Sequence, residues 1–313
     1  MSVRRIATAS ASASALLLTL GLTACGQAPA VEACAPELQS GSITDTVTAL
    51  GEFGTEPVVN IPTPVGSAAS QRLVAHAAED RSEVAQPGGI VSFDFAMYEG
   101  ATGQLVQSTP FGSPNGSTAI LMDDTMTLPG MVKGFTCAAP GDRLIISMAP
   151  QDAFGVEQNL SQGLPADTAM ILVADVRSVG DMRASGKERN LPSGFPAVVS
   201  DEAGKPGIVM PPSKAPAESR AAVAIEGSGD EVTKDDALIA QVMSVDWESG
   251  RVTRSSWDQG TPVMLDKTGS GEALRGFLDG STVGSRVVVL LVEDGSTTVN
   301  VVDVLARTLS QSQ

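Results

Sequence analysis

The sequence predicts an α+β protein dominated by antiparallel sheet, with two tandem copies of one domain each wrapping a sheet on one short helix. Three observations lead there. Ile61-Pro62, Val84, Gly103, Ser108, Lys133-Gly134-Phe135 and Gly141-Asp142-Arg143 recur in order as Met210-Pro211, Val232, Gly250, Ser255, Arg275-Gly276-Phe277 and Gly284-Ser285-Arg286. Strand-like alternation sets Val91, Phe93, Phe95 and Met97 against Ser92, Asp94 and Ala96, and returns at Leu144, Ile146 and Met148. Beyond an N-terminal apolar run, few stretches carry the period of a long helix.

In chain order, Arg4 and Arg5 precede an apolar run ending in Leu22-Thr23-Ala24-Cys25. This reads as a secretory signal peptide, residues 1–24, closed by a bacterial lipobox, with Cys25 as the lipid attachment point. Twin-arginine export is the other reading of the arginine pair, and Ile6-Ala7 fits it poorly. Residues 25–43, rich in Ala, Pro, Glu, Ser and Gly, read as a tether. The first copy spans 44–181, with strands at 91–97, 144–148 and 169–176, glycine turns at Gly100, Gly103, Gly112, Gly116 and Gly130, and a short helix at 134–139 stopping at Pro140-Gly141. Residues 182–193 read as a polar linker. The second copy spans 194–308, with matching strands at 238–245, 286–292 and 298–305. Each copy is long enough to bury its own core, with no cofactor needed for folding.

The offset between copies falls from 149 at Ile61 to 143 at Gly141 and 128 where Asp175 meets Asp303, so about fifteen residues are missing from the second copy. What the first copy keeps is the loop 149–169, carrying Ala153-Phe154-Gly155 and Leu164-Pro165. Long loops on a rigid scaffold are where function concentrates, which points to the first copy.

Formal charge is −16, and loss of residues 1–24, whose only charges are Arg4 and Arg5, takes it to −18. An acidic, aromatic-poor surface argues against nucleic acid and against electrostatic adhesion to anionic lipid, leaving the lipid anchor as the membrane contact. Acidic blocks at 79–83, 230–231 and 235–236 lack calcium-loop spacing and read as solvated turns. With Cys25 lipidated, Cys34 and Cys137 remain as an even pair in an oxidising compartment, and a disulfide between them is expected; two free buried thiols are the alternative.

The sequence lacks the usual catalytic inventories. His76 is the only histidine, which rules out a histidine metal cluster, and it reads as a strand residue without a catalytic role. No nucleophile elbow, zinc-protease, phosphate-loop or dinucleotide motif is present. Five of the eight phenylalanines, Phe93, Phe95, Phe111, Phe135 and Phe154, fall between the first strand and the Ala153-Phe154-Gly155 turn. An apolar pocket that needs neither base nor metal is the chemistry these residues suggest.

The order Gly103-Gln104-Leu105-Val106-Gln107-Ser108, Met131-Val132-Lys133-Gly134-Phe135, Gly141-Asp142-Arg143, Pro150-Gln151-Asp152-Ala153-Phe154-Gly155 and Leu164-Pro165 before a closing strand resembles the FKBP-type peptidyl-prolyl isomerases. Gly250-Arg251-Val252-Thr253-Arg254-Ser255-Ser256-Trp257 resembles the same pattern in the second copy. The resemblance implies two FKBP-like domains and isomerisation of X-Pro bonds, without cofactor, on proline-containing unfolded or secreted polypeptides.

It also implies a catalytic set of Phe95, Gln107, Phe135 and Phe154, with substrate-binding residues Val106, Met131, Val132, Leu164 and Ile171. Phe135 stands for the tryptophan floor, and the Val132 N–H for the donor to the substrate carbonyl. Phe154 replaces a tyrosine and Gln107 an aspartate. In the second copy Arg254 takes the aspartate position, Thr253 the neighbouring aromatic position and Met243 the place of Phe95. That copy therefore reads as a fold-retaining partner that does not bind proline. A binding module that holds unfolded chains without catalysis, and a purely structural surface lipoprotein, are the other readings.

Overall fold

The computed structural model describes residues 34–113, 117–266 and 271–308, and residues 34–308 belong to one contact unit. The signal segment, Cys25, the start of the tether and Gly116 lie outside the described residues. Among the described residues no helix is long and apolar enough to cross a membrane.

The chain runs through a hairpin, β1 (Thr48–Leu50) and β2 (Val58–Asn60), then β3 (Gln71–His76), β4 (Ile90–Glu99), β5 (Leu105–Ser108), β6 (Thr118–Leu121), α1 (Pro129–Phe135), β7 (Arg143–Met148), a 3-10 turn (Pro150–Asp152), α2 (Val156–Ser161) and β8 (Met170–Gly180). It continues as β9 (Lys187–Glu188), a second hairpin of β10 (Ala197–Ser200) and β11 (Pro206–Val209), then β12 (Arg220–Glu226), β13 (Ala237–Asp246), β14 (Val252–Ser255), α3 (Ser256–Gln259), β15 (Val263–Leu265), α4 (Glu272–Arg275), β16 (Arg286–Glu293) and β17 (Ser296–Thr308). The fold is mostly antiparallel sheet with a few short helices. The first large sheet has the order β3-β7-β8-β4-β5 with β6 also on β4. The second repeats it strand for strand as β12-β16-β17-β13-β14 with β15 on β13, and adds β9 at the β12 edge.

Alternation along β4 predicts one buried face, yet both faces are buried over residues 90–97. One face packs Val91, Phe93, Phe95 and Met97 beneath α1 with Leu144, Ile146, Leu172 and Ala174. The opposite face of the same sheet packs Ile145, Ile171 and Val173 against Ile43, Val47, Ala49, Val59 and Ile61 from the N-terminal segment and hairpin. The largest polar groups on that second face are buried as an ion pair. Arg143 Nε lies 2.6 Å from Asp175 Oδ1 and its Nη2 2.8 Å from Oδ2. Arg143 also donates to the carbonyls of Gly51, Glu52 and Thr55, and Asp175 accepts from Gly54 N–H, so this pair pins the first hairpin. Arg286 and Asp303 repeat the arrangement at 2.6 and 2.8 Å, with Arg286 reaching Ser200 and Gly204 beside the second hairpin.

Several sequence expectations are corrected. The helix expected at 134–139 is α1 at Pro129–Phe135: Pro129, with no N–H to leave unpaired, starts it. Cys137, in the left-handed region at φ 66°, lies just beyond its end. The loop 149–169 is not irregular throughout, since it contains the 3-10 turn and α2. Residues 34–43, read as tether, are docked: Leu38 packs on the core, and Gln39 accepts a hydrogen bond from Arg72 N–H. The linker 182–193 belongs to the second sheet through β9, with Arg189 N–H donating to Ala224. The β9 side chains, Lys187 and Glu188, are polar and exposed, so hydropathy carries no trace of its backbone pairing. His76 ends β3, exposed, its ring 6.3 Å from that of Phe53.

Candidate functional site

The site expected in the first half is built where α1 lies on the sheet. Gly130 and Gly134 make that approach possible: a Cβ on Gly130 would fall 2.6 Å from Met148 Cγ, and one on Gly134 2.5 Å from Ile146 Cδ1. With the helix so low, Phe135 enters the core. Its ring centroid is 4.5 Å from that of Phe93, which is 5.6 Å from Phe95, within the range of favourable aromatic pairs. Phe93 and Phe135 have no exposed surface, while Phe95, Met97, Val132 and Met170 each keep 6–8 % at the rim. Met131 and Ala153 pack against the same cluster, Ala153 arriving from the loop that the second half lacks.

That loop is fastened at its start. Asp152 accepts from Lys133 of α1 at 2.7 Å and from Ser70 at 2.6 Å. Burial pushes the Asp152 carboxyl up, and the hydrogen bonds from Lys133 and Ser70 outweigh it, leaving it below the usual carboxylate range. Ser70 in turn accepts from Ala149 N–H, Gln151 donates to Ala68, and buried Asn159 donates to the carbonyl of Thr168. The loop is thus positioned by polar contacts, with Phe154 left 49 % exposed at its crest.

Of the expected site residues, the structure brings Phe95, Met131, Val132 and Phe135 into one cluster. Gln107 pairs opposite Met97 and so shares its face of the sheet, with its side chain exposed. Val106 sits at the β5 bulge and is exposed, and Leu164 is half-buried outside the cluster. Three carried-over roles need correction. Ile171 faces the opposite side of β8, so Met170 and Leu172 take its place. The Val132 N–H, expected to await a substrate carbonyl, donates to Leu128 O at 3.2 Å inside α1 because the helix begins at Pro129. Phe135, expected as the pocket floor, has no exposed surface. Met97, Met148 and Met170 were missed; continuing the alternation past Phe95 points to Met97, whereas Met170 lies in a run apolar on both faces.

The second half has its own parity correction. Asp94 pairs Asp175 as Gln241 pairs Asp303, which sets Val242, and not Met243, in the place of Phe95. Met243 lies in the cluster on the other face. Arg254 does occupy the counterpart of Gln107: Gln107 is opposite Met97, and Arg254 opposite Ser244.

Cys34 and Cys137 form a disulfide with their Cα atoms 5.6 Å apart, closing the first described residue onto the turn after α1. Among the described residues no group of three or more His, Cys, Asp or Glu is placed to hold a metal ion.

The solved structures similar to this chain include proteins of one class, the FKBP-domain proteins. The three FKBP domains of wheat FKBP73 align at 12 % identity over 77 % of this chain and 96 % of that one, with a TM-score of 0.34. The N-terminal domain of FKBP42 from Arabidopsis thaliana aligns at 12 % identity over 43 % of this chain and all of that one, TM-score 0.32. FkpA from Escherichia coli aligns at 14 % identity over 36 % of this chain and 47 % of that one, TM-score 0.29. No protein-family model matches the chain, and no curated protein does. At those TM-scores the likeness adds nothing to the strand order and side-chain geometry, which stand on their own.

Proposed function

We propose that residues 44–181 form an FKBP-type peptidyl-prolyl cis-trans isomerase of low turnover, acting without cofactor on proline-containing polypeptides outside the cytoplasm. In this reading a lipid on Cys25 holds the chain at the outer face of the cell membrane, and residues 194–308 are a second copy of the domain. The observation that carries the reading is the single apolar cluster joining Phe95, Met131, Val132 and Phe135 to Ala153 of the retained loop.

The reaction fits such a surface. Rotation about X-Pro is slow because the planar amide is resonance-stabilised, with a barrier near 18–20 kcal/mol. A dry apolar contact disfavours the more polar planar form relative to the twisted one, and each ~1.4 kcal/mol of that difference is worth tenfold in rate. With Phe135 covered and the Val132 N–H engaged, the prolyl ring meets only the rim of Phe95, Met97, Val132 and Met170, which accounts for low turnover.

A proline-peptide isomerisation assay on the full chain tests this. Wild type accelerates the reaction, and Gln107→Asp, on an exposed strand where folding is not at stake, raises the rate by about tenfold through one charge-assisted contact. Equal rates with and without either protein refute the isomerase reading. Full burial of Phe135 favours a second reading, a non-catalytic module that holds unfolded chains, for which the same assay shows no acceleration while calorimetric titration with a denatured client shows binding.

A further inference from the structure

The two sheets share strand order and register, so the row of side chains beneath each helix can be compared position by position. In the first half one row reads Gln107, Met97, Leu172 and Ile146 across β5, β4, β8 and β7. In the second half the same row reads Arg254, Ser244, Asn300 and Val289 across β14, β13, β17 and β16. One step along, Met170 and Met148 become Thr298 and Leu291. An apolar floor has become a polar one.

The space above differs too. The first half is filled by its aromatic cluster under the seven-residue α1, whereas α4 has four residues and leaves a hollow of about 700 Å³ between itself and the sheet. Asn300, 3 % exposed, forms its floor; it accepts from Ser244 Oγ at 2.7 Å and donates to Thr298 Oγ1 at 3.1 Å. Such a buried amide network is costly unless satisfied, and here it is satisfied and held in one orientation facing the hollow. At the β14 side the partly buried Arg254 guanidinium has no carboxylate within ion-pair distance among the described residues. At the β16 side Glu272 of α4 and Glu293 are exposed and likewise unpaired.

We propose that this hollow is a polar peptide-binding site, taking an extended segment with a carboxylate over Arg254 and a cationic side chain over Glu272 and Glu293. Arg254 shares its row with Val289 of β16, three inter-strand steps away or on the order of 14 Å, and Glu293 lies four residues further along β16, about 13 Å, so the charged ends are on the order of 19 Å apart, which an extended chain spans in about six residues. Between the charged ends, Asn300, Ser244 and Thr298 face the peptide backbone, and Leu274 and Leu291 cover an apolar side chain. Complementary charge at both ends sets specificity. The site is independent of whether the first half turns over prolyl bonds.

The test is calorimetric titration of the full chain with an acetylated, amidated heptapeptide, Asp-Ala-Ala-Ala-Ala-Ala-Lys, whose charged residues are six apart. Saturable binding is expected, at least tenfold weaker in Arg254→Glu and in Glu272→Lys/Glu293→Lys. The triple charge exchange recovers binding because the peptide then lies in the opposite direction. Peptides with two aspartates or two lysines bind at least tenfold more weakly, and Gln107→Asp leaves the affinity unchanged. Gln107, Glu272 and Glu293 are exposed and Arg254 is partly so, and an unchanged circular dichroism spectrum confirms folding of each variant. Absence of saturable binding, or an affinity indifferent to Arg254→Glu, overturns the proposal.

Discussion

Replacing Asp175 by Ala tests the buried ion pair directly. Arg143 is 1 % exposed and Asp175 fully buried. The substitution removes both bonds to Arg143, at 2.6 and 2.8 Å, and the acceptor of Gly54 N–H at 2.7 Å. The guanidinium keeps three backbone carbonyls and loses its counter-charge. Leaving one charge of a buried pair uncompensated costs about 3–5 kcal/mol, a large share of a usual total of 5–15. With a urea m-value near 2–3 kcal/mol/M, the midpoint falls by about 1–2 M. The double variant Arg143→Met/Asp175→Leu removes both charges of the pair and is expected to cost less than Asp175→Ala alone. Circular dichroism follows the whole chain, while both tryptophans, Trp247 and Trp257, report the second half. Asp303→Ala, which strands Arg286, serves as the matched perturbation on that side. A midpoint shift below about 0.3 M for Asp175→Ala, or a double variant less stable than the single, refutes the reasoning.

Two further outcomes are expected. Burial pushes the Asp94 carboxyl up, only partly countered by Gly112 N–H and Arg177, and its Oδ1 has no hydrogen-bond partner. A raised folded-state pKa means that stability is fully present below the ordinary carboxylate value of about 3.9 and is lost as pH rises through the raised value. Asp94→Asn, which keeps an acceptor for Gly112, therefore gains on wild type as pH rises through that window; a constant difference in urea midpoint across pH contradicts it. Reducing the Cys34–Cys137 bond, which spans 103 residues, lowers stability by about 4–5 kcal/mol in the chain-entropy model, read as a lower midpoint with reductant and no such change in Cys34→Ser/Cys137→Ser.

The strands were legible because Val91, Phe93, Phe95 and Met97 alternate with smaller or polar residues and Leu144, Ile146 and Met148 recur at the same spacing, and because the repeated Gly-Asp-Arg and Gly-Ser-Arg segments open β7 and β16. Parity was not legible where a strand is apolar on both faces. In β8 Met170 and Ile171 are equally apolar, and only the pairing of Asp94 with Asp175 says that Met170 looks toward α1. The same ambiguity put Met243 where Val242 belongs. Pro129 marks a helix start five residues before Gly134, and that earlier start places the Val132 N–H inside the helix. The polar row of Ser244, Asn300 and Thr298 reads in sequence as solvent-facing decoration, since nothing local says that Asn300 is covered. Arg254 was legible as a departure from the pattern, though its lack of a partner needed three dimensions.

The sulfur bridge between Cys34 and Cys137 decides how mechanical load enters the molecule. Tension on the chain ahead of Cys34 passes through covalent sulfur to the turn two residues beyond Phe135, and the stretch carrying β1 and β2 feels none of it while the bridge is intact. Cutting the bridge reroutes the same pull onto residues 35–47, peeling them from the sheet like a strip held by its end.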